Sequence, residues 1–280
     1  MTPFELIEPS TLGEALALLD PYDPDVRPIA GGSALMLMMK SGLYHPRRLV
    51  SLRALGSSLT SIAATPDGGL ALGAMVRLAE LERSDAVRRV APVIADALLT
   101  HSNIRVRNVA TIGGNLAHAD PHMDLPPVLI ALGASVRAVG PNGERDIPIE
   151  AFLTGYMTTV LGNDELVAAL HVPVQTGRKA AYEKVTARAA DDWPALGIAV
   201  SVGPADVRVA IGAATETAMR LPRTEAFLSG RLLDEAALRS AGKCAAAEAP
   251  VVGDLHGSAA YKRVLVAVHL RRALQKALAA

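Results

Sequence analysis

Aromatic side chains are scarce: they make up 3% of the chain, with one tryptophan and three phenylalanines among 280 residues. Half of the residues are nevertheless hydrophobic, so the core is expected to be aliphatic and rich in alanine. There is one cysteine, Cys244. It cannot form an internal disulfide, which excludes a disulfide-built scaffold and fits a reducing compartment. In its alanine-rich helical stretch it reads as a small buried hydrophobe. Net charge is absent too: Lys+Arg and Asp+Glu both total 28. A neutral chain has no electrostatic footprint for nucleic acid, and the basic residues Arg271-Arg272 near Lys262-Arg263 read as a solvated helix face. No apolar run approaches the ~18 residues of a membrane span. Met1-Thr2-Pro3-Phe4-Glu5 offers neither the basic nor the apolar part of a signal peptide. The expectation is a cytoplasmic protein with no integral membrane segment. No Ser/His/Asp or Cys/His arrangement suggests nucleophilic catalysis, and no paired carboxylates suggest hydrolysis.

Against these absences stand two glycine-rich stretches, Ala30-Gly31-Gly32-Ser33-Ala34 and Thr111-Ile112-Gly113-Gly114-Asn115. Glycine lets backbone approach a ligand closely and uncovers N–H groups. Consecutive free N–H groups in a tight turn make an anion-binding concavity, and Thr111 and Asn115 add a hydroxyl and an amide. Either stretch alone could be an ordinary turn. Two in one chain suggest a pyrophosphate gripped from both sides. The second runs on through His118, Asp120, His122 and Asp124. Strand geometry would place these four on one face, which invites a metal reading. Pro121 interrupts the run, however, and zinc ligands are usually spaced otherwise, so no metal is expected.

Apolar periodicity and breakers give the element order. Phe4–Pro9 reads as a strand, and Thr11-Leu12-Gly13-Glu14 as a capping box opening a helix through Leu19. Val26–Ala30 is a strand leading into the first glycines, Leu35–Lys40 a helical turn and Arg48–Leu52 a strand. A dinucleotide fingerprint belongs at the first strand-to-helix turn and needs a third glycine. Here the double glycine follows the second strand, which argues against that fold. Pro66-Asp67-Gly68-Gly69 marks a hairpin between Ser61-Ile62-Ala63 and Leu70–Gly73. Leu78–Leu81 and Val87–Leu98 look helical, with Ser84 as cap and Pro92 inside the second. Asp124–Leu132 is a helix with Pro126 and Pro127 in its first turn. Ser135–Val139, Arg145–Ile149 and Leu166–Val172 read as strands. Gln175-Thr176-Gly177-Arg178 is the best linker. Beyond it, Ala180–Val185, Gly197–Val202 and Val207–Ala213 predict three strands, and Arg223–Leu228, Asp234–Ala246 and Ser258–Leu278 predict helices. Tyr261, Val264, Leu265 and Val268 recur at helical spacing in the last.

Ala30-Gly31-Gly32-Ser33, Thr111-Ile112-Gly113-Gly114-Asn115 and Asp124-Leu125-Pro126-Pro127 resemble motifs of the flavoprotein (medium) subunit of molybdenum hydroxylases. That family takes in aerobic carbon monoxide dehydrogenase and xanthine dehydrogenase. Phe152-Leu153-Thr154-Gly155-Tyr156-Met157-Thr158-Thr159 with Glu165, the stretch from Tyr182 to Asp192, and Glu225–Arg231 with Pro250 and Tyr261-Lys262-Arg263 are similar to further segments. The resemblance covers almost the whole chain. It implies an α+β protein with a vanillyl-alcohol-oxidase/PCMH-type FAD-binding fold of two subdomains, residues 1–56 and 57–174. A C-terminal α+β domain, residues 178–280, would hold a three-stranded antiparallel sheet with helices.

The same resemblance implies that FAD lies extended between these parts. Pro28, Ile29, Ala30, Gly31, Gly32, Ser33, Ala34 and Leu35, with Thr111, Ile112, Gly113, Gly114 and Asn115, would hold the pyrophosphate. His101 would lie near the adenosine half, and Asp124 near the ribityl or pyrophosphate region. Leu161 would line the flavin, and Lys184 would approach the isoalloxazine edge. His118 and Asp120 would continue the loop near the flavin. Trp193 could stack on the ring or simply pack, and Lys184 could equally be a surface lysine. Arg188, Asp191 and Asp192 suggest a structural charge pair, and Tyr156 a structural hydroxyl. Ser33-Ala34 and Leu37 depart from the residues frequent in the family.

The implied function is electron transfer in a heteromeric molybdenum-containing hydroxylase. A molybdopterin-type molybdenum cofactor would sit in a large partner subunit and two [2Fe–2S] clusters in a small one, as a dimer of heterotrimers. This chain lacks the cysteines for such clusters. Two other readings stay open. One is a self-standing flavin-dependent reductase or dehydrogenase of the same fold. The other is a scaffold subunit that has lost FAD, for which the altered Ser33-Ala34 is the only support.

Overall fold

The computed structural model describes residues 2–280, with Ser58 described in its backbone only. The chain first forms a small parallel sheet. β1 (Glu5–Ile7) and β2 (Val26–Ile29) both pair with the central β3 (Arg48–Ser51). Parallel pairing demands crossover helices, here α1 (Leu12–Leu18) and α2 (Ser33–Lys40). Thr11 caps α1 by accepting from Glu14 N at 3.1 Å. The helical turn expected from Leu35 starts two residues earlier, directly after Gly32, whose φ of 74° suits glycine.

A five-stranded antiparallel sheet follows, in the order β4 (Ile62–Ala64), β5 (Leu70–Gly73), β10 (Leu166–Val172), β6 (Ser135–Gly140), β7 (Gly143–Pro148). Between β5 and β6 the chain makes six helices: α3 (Leu78–Arg83), α4 (Asp85–Val90), α5 (Pro92–Leu99), α6 (Ile104–Arg107), α7 (Ile112–His118) and α8 (Leu125–Leu132). The single helix expected over Val87–Leu98 is two. A proline cannot donate to the preceding turn, so α4 ends at Val90 and Pro92 opens α5. After β7 come α9 (Ile149–Phe152) and the short hairpin β8 (Leu153–Gly155) and β9 (Thr158–Thr159).

Beyond Gln175–Arg178 lies a second antiparallel sheet, β11 (Lys179–Thr186), β12 (Pro194–Val202), β13 (Val207–Gly212) and β14 (Met219–Arg220). The expected three strands are present. The two-residue β14 adds a fourth at the edge, too short for periodicity to reveal. Then come α10 (Pro222–Leu228), α11 (Glu235–Glu248) and α12 (Ala259–Ala279).

Strand alternation explains how this sheet is used. Leu196, Ile198 and Val200 of β12 face a cluster completed by Leu238, Val266, Leu270 and Leu274 of α11 and α12. Small residues occupy the other face. Ala199 and Ala210 there join the larger core built around α5, α8 and β5. All eight residues of α8 are buried, because the helix lies between α5 and this sheet. A Cβ on Gly212 would stand 3.3 Å from Pro127 Cγ, so glycine lets α8 seat closely. Among the described residues, no helix is long and apolar enough to cross a membrane.

The apolar stripe expected on α12 is rotated. Tyr261 and Val264 are exposed, whereas Lys262, Leu265, Val266, Leu270, Ala273, Leu274 and Ala277 are buried. Lys262, expected on a solvated face, is 0% exposed. Cys244 is half-buried rather than fully buried.

The α11–α12 contact is close enough to be tested. A Cβ on Gly242 would collide with the carbonyl oxygen of Ala267. Gly242→Val is expected to cost about 1–3 kcal/mol of stability through overpacking, read as a lower midpoint in urea denaturation.

Candidate functional site

The two glycine stretches meet. A Cβ built on Gly114 would lie 3.8 Å from Ala30 Cβ, and one on Gly31 would collide with the backbone of Val109 and Ala110. Bare glycine at Gly31 is therefore what lets the turn after β2 approach the segment that leads into α7.

Their chemistry differs from the expected pair of matching loops. Thr111 is the N-cap of α7 and accepts from Gly114 N at 3.1 Å. Gly113 and Gly114 lie inside that helix. Ile112 N donates to Val76 O at 3.0 Å, Gly113 N to Ala74 O at 2.9 Å and Asn115 N to Thr111 O at 2.9 Å. The amides expected to be free in the second stretch are thus engaged, and Gly113 serves close packing against Ala74. The first stretch does keep free amides. At the start of α2, Met36 N is the first to reach a carbonyl, that of Gly32, at 2.9 Å. The N–H groups of Ser33, Ala34 and Leu35 have no acceptor among the described residues, as a helix start without side-chain capping requires.

Two side-chain oxygens beside this junction are buried with no hydrogen-bond partner among the described residues: Ser33 Oγ and Asn115 Oδ1. Buried polar atoms are rarely left so. The residues therefore fit a group that brings polar atoms of its own, and an elongated phosphate-bearing cofactor is such a group.

Next to Asn115 is a buried charge centre. Asp124 is 2% exposed. Its carboxylate accepts from Tyr182 Oη at 2.6 Å and Lys184 Nζ at 3.1 Å, and lies 2.7 Å from His101 Nδ1. His101 Nε2 faces Asn115 Nδ2 at 3.4 Å. As the Nδ1–H tautomer, His101 donates to Asp124 and accepts from Asn115. Burial, and then the negative Asp124, push the Tyr182 phenol well above its ordinary value, so it remains a donor. Lys184 Nζ also donates to Thr100 O at 2.8 Å. Arg107 holds the turn carrying His101 by donating to His101 O at 3.2 Å and Glu82 Oε2 at 2.7 Å. His101, Asn115, Asp124 and Lys184 are thereby brought together, and Lys184 is buried rather than at the surface.

The His/Asp run is not a strand. α7 ends at His118, Ala119 turns left-handed with φ 52°, and the four side chains divide. Asp124 joins His101. Asp120 Oδ1 accepts from His122 N at 2.8 Å and Nδ1 at 3.0 Å. His122 Nε2 lies 2.8 Å from Asp254 Oδ2, to which Lys262 Nζ donates at 2.6 Å. His118 is partly buried, and burial lowers its pKa. Trp193, 43% exposed, stands edge-on to the His122 ring at 5.6 Å. Leu161 packs half-buried against the larger core.

Tyr156, expected to be pinned by its hydroxyl, is exposed, and its hydroxyl has no hydrogen-bond partner among the described residues. It lines a cavity of about 260 Å³ with Pro121, His122, Glu216 and Asp254. Arg188 does pair with Asp192, at 2.9 Å. Tyr182, Asp254 and Lys262 are the site residues that sequence reasoning passes over. A signal existed for Lys262, which lies four residues before Val266 on the buried stripe of α12.

Removing the counter-charge of a buried ion is costly. Asp124→Asn, which keeps the shape but leaves Lys184 unpaired, is expected to lower stability by about 3 kcal/mol in urea denaturation at neutral pH.

Residues 2–175 match the FAD binding domain in molybdopterin dehydrogenase, and residues 180–277 match the CO dehydrogenase flavoprotein C-terminal domain. The carbon monoxide dehydrogenase medium chain of Hydrogenophaga pseudoflava is 32% identical, over 98% of this chain and 96% of its own. The glyceraldehyde dehydrogenase medium chain of Sulfolobus acidocaldarius is 29% identical, over 98% of each. Among solved structures, carbon monoxide dehydrogenase from H. pseudoflava lacking the Mo-pyranopterin moiety matches 100% of this chain and 99% of its own, with a TM-score of 0.94 and 34% identity. Quinoline 2-oxidoreductase from Pseudomonas putida 86 matches 99% of this chain and 97% of its own, with a TM-score of 0.92 and 28% identity. The vanillyl-alcohol-oxidase-type architecture with its C-terminal domain follows from these matches, and the chain belongs to the family of FAD-binding medium chains of molybdenum hydroxylases.

Proposed function

We propose that this chain is the FAD-carrying electron-transfer subunit of a molybdenum-containing oxidoreductase. It would receive electrons from the [2Fe–2S] clusters of a small partner and pass them to an external acceptor, while a large partner holds the molybdenum cofactor. A cytoplasmic dimer of heterotrimers is the assembly we favour, with this chain divided at residues 1–56, 57–174 and 178–280. Carbon monoxide, glyceraldehyde and quinoline name different relatives of this chain. That variety supports a subunit that handles electrons rather than choosing the substrate.

The observation that carries the reading is the pair of buried oxygens with no partner among the described residues, Ser33 Oγ and Asn115 Oδ1, one in each of the two glycine stretches that meet where Gly31 abuts Val109 and Ala110. FAD supplies the redox chemistry when bound, and the protein supplies binding, orientation and electrostatics. The free amides of Ser33 to Leu35 and the start of α2 favour negative charge, and Gly114 keeps that space clear of a side chain. Pro28 to Leu35 and Thr111 to Asn115 together form the pyrophosphate cradle. His101 borders the adenosine half, and Leu161 the flavin. Asp124 acts from beneath, by fixing His101 and Lys184. An ammonium has three donors, and Lys184 uses two, on Thr100 O and Asp124. The third is left for the isoalloxazine edge, where a cation stabilises the anionic reduced ring. His118 and Asp120 continue the cradle, and Trp193 covers the ring.

Ser33 Oγ has no hydrogen-bond partner among the described residues, so its removal separates binding from folding. Ser33→Ala is expected to leave thermal stability unchanged and to weaken FAD binding by about three- to tenfold, the worth of one hydrogen bond. Gly114→Leu is expected to abolish FAD retention. A purified wild-type protein without flavin absorbance, or Gly114→Leu with stoichiometric FAD, would place the site elsewhere. Isolation from native cells as an assembly containing molybdenum and iron separates the subunit from a self-standing flavoenzyme.

A further inference from the structure

His122 sits between two carboxylates that belong to different parts of the fold. Its Nδ1 is 3.0 Å from Asp120 Oδ1, on the loop joining α7 to α8. Its Nε2 is 2.8 Å from Asp254 Oδ2, in the turn before α12. Carboxylates only accept, and a neutral imidazole carries one N–H. Both bonds can be made together only by the imidazolium. Lys262 strengthens the anchor, because its buried ammonium donates to Asp254 Oδ2 and, at 2.8 Å, to Ala213 O. Ala213 is itself left-handed, with φ 62°, and its N–H donates to Pro121 O at 2.8 Å. Asp124, at the end of this loop, is held to the C-terminal part by Tyr182 and Lys184; ahead of it, the stretch from Ala119 to Met123 is fastened there by one main-chain bond and one proton-dependent bridge. Asp124 ends that loop, Asn115 lies in the helix before it, and Trp193 leans on the bridging ring.

We propose that His122 is a positioning residue for the flavin site: protonated, it ties the Ala119–Asp124 loop to the C-terminal part, and deprotonated, it lets the loop loosen, so that flavin retention falls as pH rises. This rests on the flavoprotein reading given above.

The surroundings of His122 favour the protonated form. Asp120 and His118 come from its own side, Asp254 and His256 from the facing turn, and Lys262 from α12 behind Asp254. Glu216 shares the cavity, and Asp192 stands beside Trp193. Burial lowers the pKa of His122, but the hydrogen bonds to Asp120 and Asp254 outweigh it and leave a net rise. Burial also raises Asp254, but hydrogen bonds from Lys262 and His122 bring it down to about 2, so this partner stays ionised. The linkage sign follows. With its folded pKa above the ordinary 6.5, the stabilisation from His122 is complete below that value and is lost as pH climbs through the raised one.

The test uses the full-length chain loaded with FAD. Three quantities are followed across the titration of His122: its imidazole NMR signals, hydrogen exchange of the 119–124 segment corrected for intrinsic rates, and FAD dissociation. Exchange and dissociation are expected to rise together by about tenfold, with the midpoint of the imidazole titration. His122→Arg stays charged and can face both carboxylates, so it should flatten both profiles. Asp120→Asn keeps the Asp254–Lys262 pair and should move the midpoint to lower pH. Flat exchange through the wild-type titration overturns the proposal, as does an unshifted midpoint in Asp120→Asn. If His122→Arg does not fold, the Asp120→Asn shift decides. A chain that binds no FAD at any pH defeats the flavoprotein reading instead, and the exchange profile still reports on the bridge.

Discussion

The carboxylate of Asp124 is the constraint on which the rest of the structure depends. Taking a carboxylate out of water costs several kcal/mol unless donors replace the lost solvent. Here three side chains on two segments supply them: His101 after α5, and Tyr182 and Lys184 from β11. No single element can satisfy the group, so satisfying it fixes the C-terminal sheet against the helical layer of the FAD-binding part. Lys184 goes on to Thr100 O and His101 to Asn115, which extends the same polar connection toward the glycine junction. The position of Asn115 is therefore coupled, bond by bond, to the seating of a distant sheet.

Packing makes that seating possible. α8 is apolar on every side because it has neighbours on every side, and β12 and β13 meet it with small residues, Ala199, Ala210 and Gly212. Larger residues there would hold the helix away and carry Asp124, which immediately precedes it, out of reach of Tyr182 and Lys184. The large apolar residues of β12 are on the opposite face, against α11 and α12. One strand thus serves two cores, and the alternation of small and large side chains along Leu196 to Val200 decides which is which.

Much of this is legible in the chain. The strand runs, the hairpin at Pro66–Gly69 and the capped helices follow from local physics, and the family motifs point to the glycine junction. What is not legible has definite causes. The two glycine stretches look alike, yet the first leaves amides free at a helix start and the second spends them on Val76, Ala74 and its own cap. Only tertiary contacts decide that. The period of α12 is readable, but its phase is not. In an alanine-rich helix two adjacent stripes are similarly apolar, and the true one carries Lys262, which any hydropathy scale counts against burial. Tyr182 is hidden for a related reason: in a strand it reads as a packing residue, and only the carboxylate opposite gives its hydroxyl a purpose. The alternating His118, Asp120, His122 and Asp124 suggest a single strand face because sequence carries no sign of the left-handed turn at Ala119.

That turn has a consequence for how the loop is held. Its two ends are fixed by different kinds of bond. At Asp124 a tyrosine hydroxyl and an ammonium supply two of the donors, and the phenol is held protonated by burial and the adjacent carboxylate. The third donor there, His101, faces one carboxylate and one amide, which a single ring N–H serves. At His122 one imidazole must donate to two carboxylates at once, which takes both ring N–H groups. The end nearer the buried core is fastened by three side chains, and the end nearer the exposed Trp193 by a bridge that needs a protonated ring. Both fastenings act on the same few residues between the α7 and α8 helices. A change at His122 therefore has little freedom to spread inward past Asp124, and its effect is directed outward, to the surface where Trp193 stands.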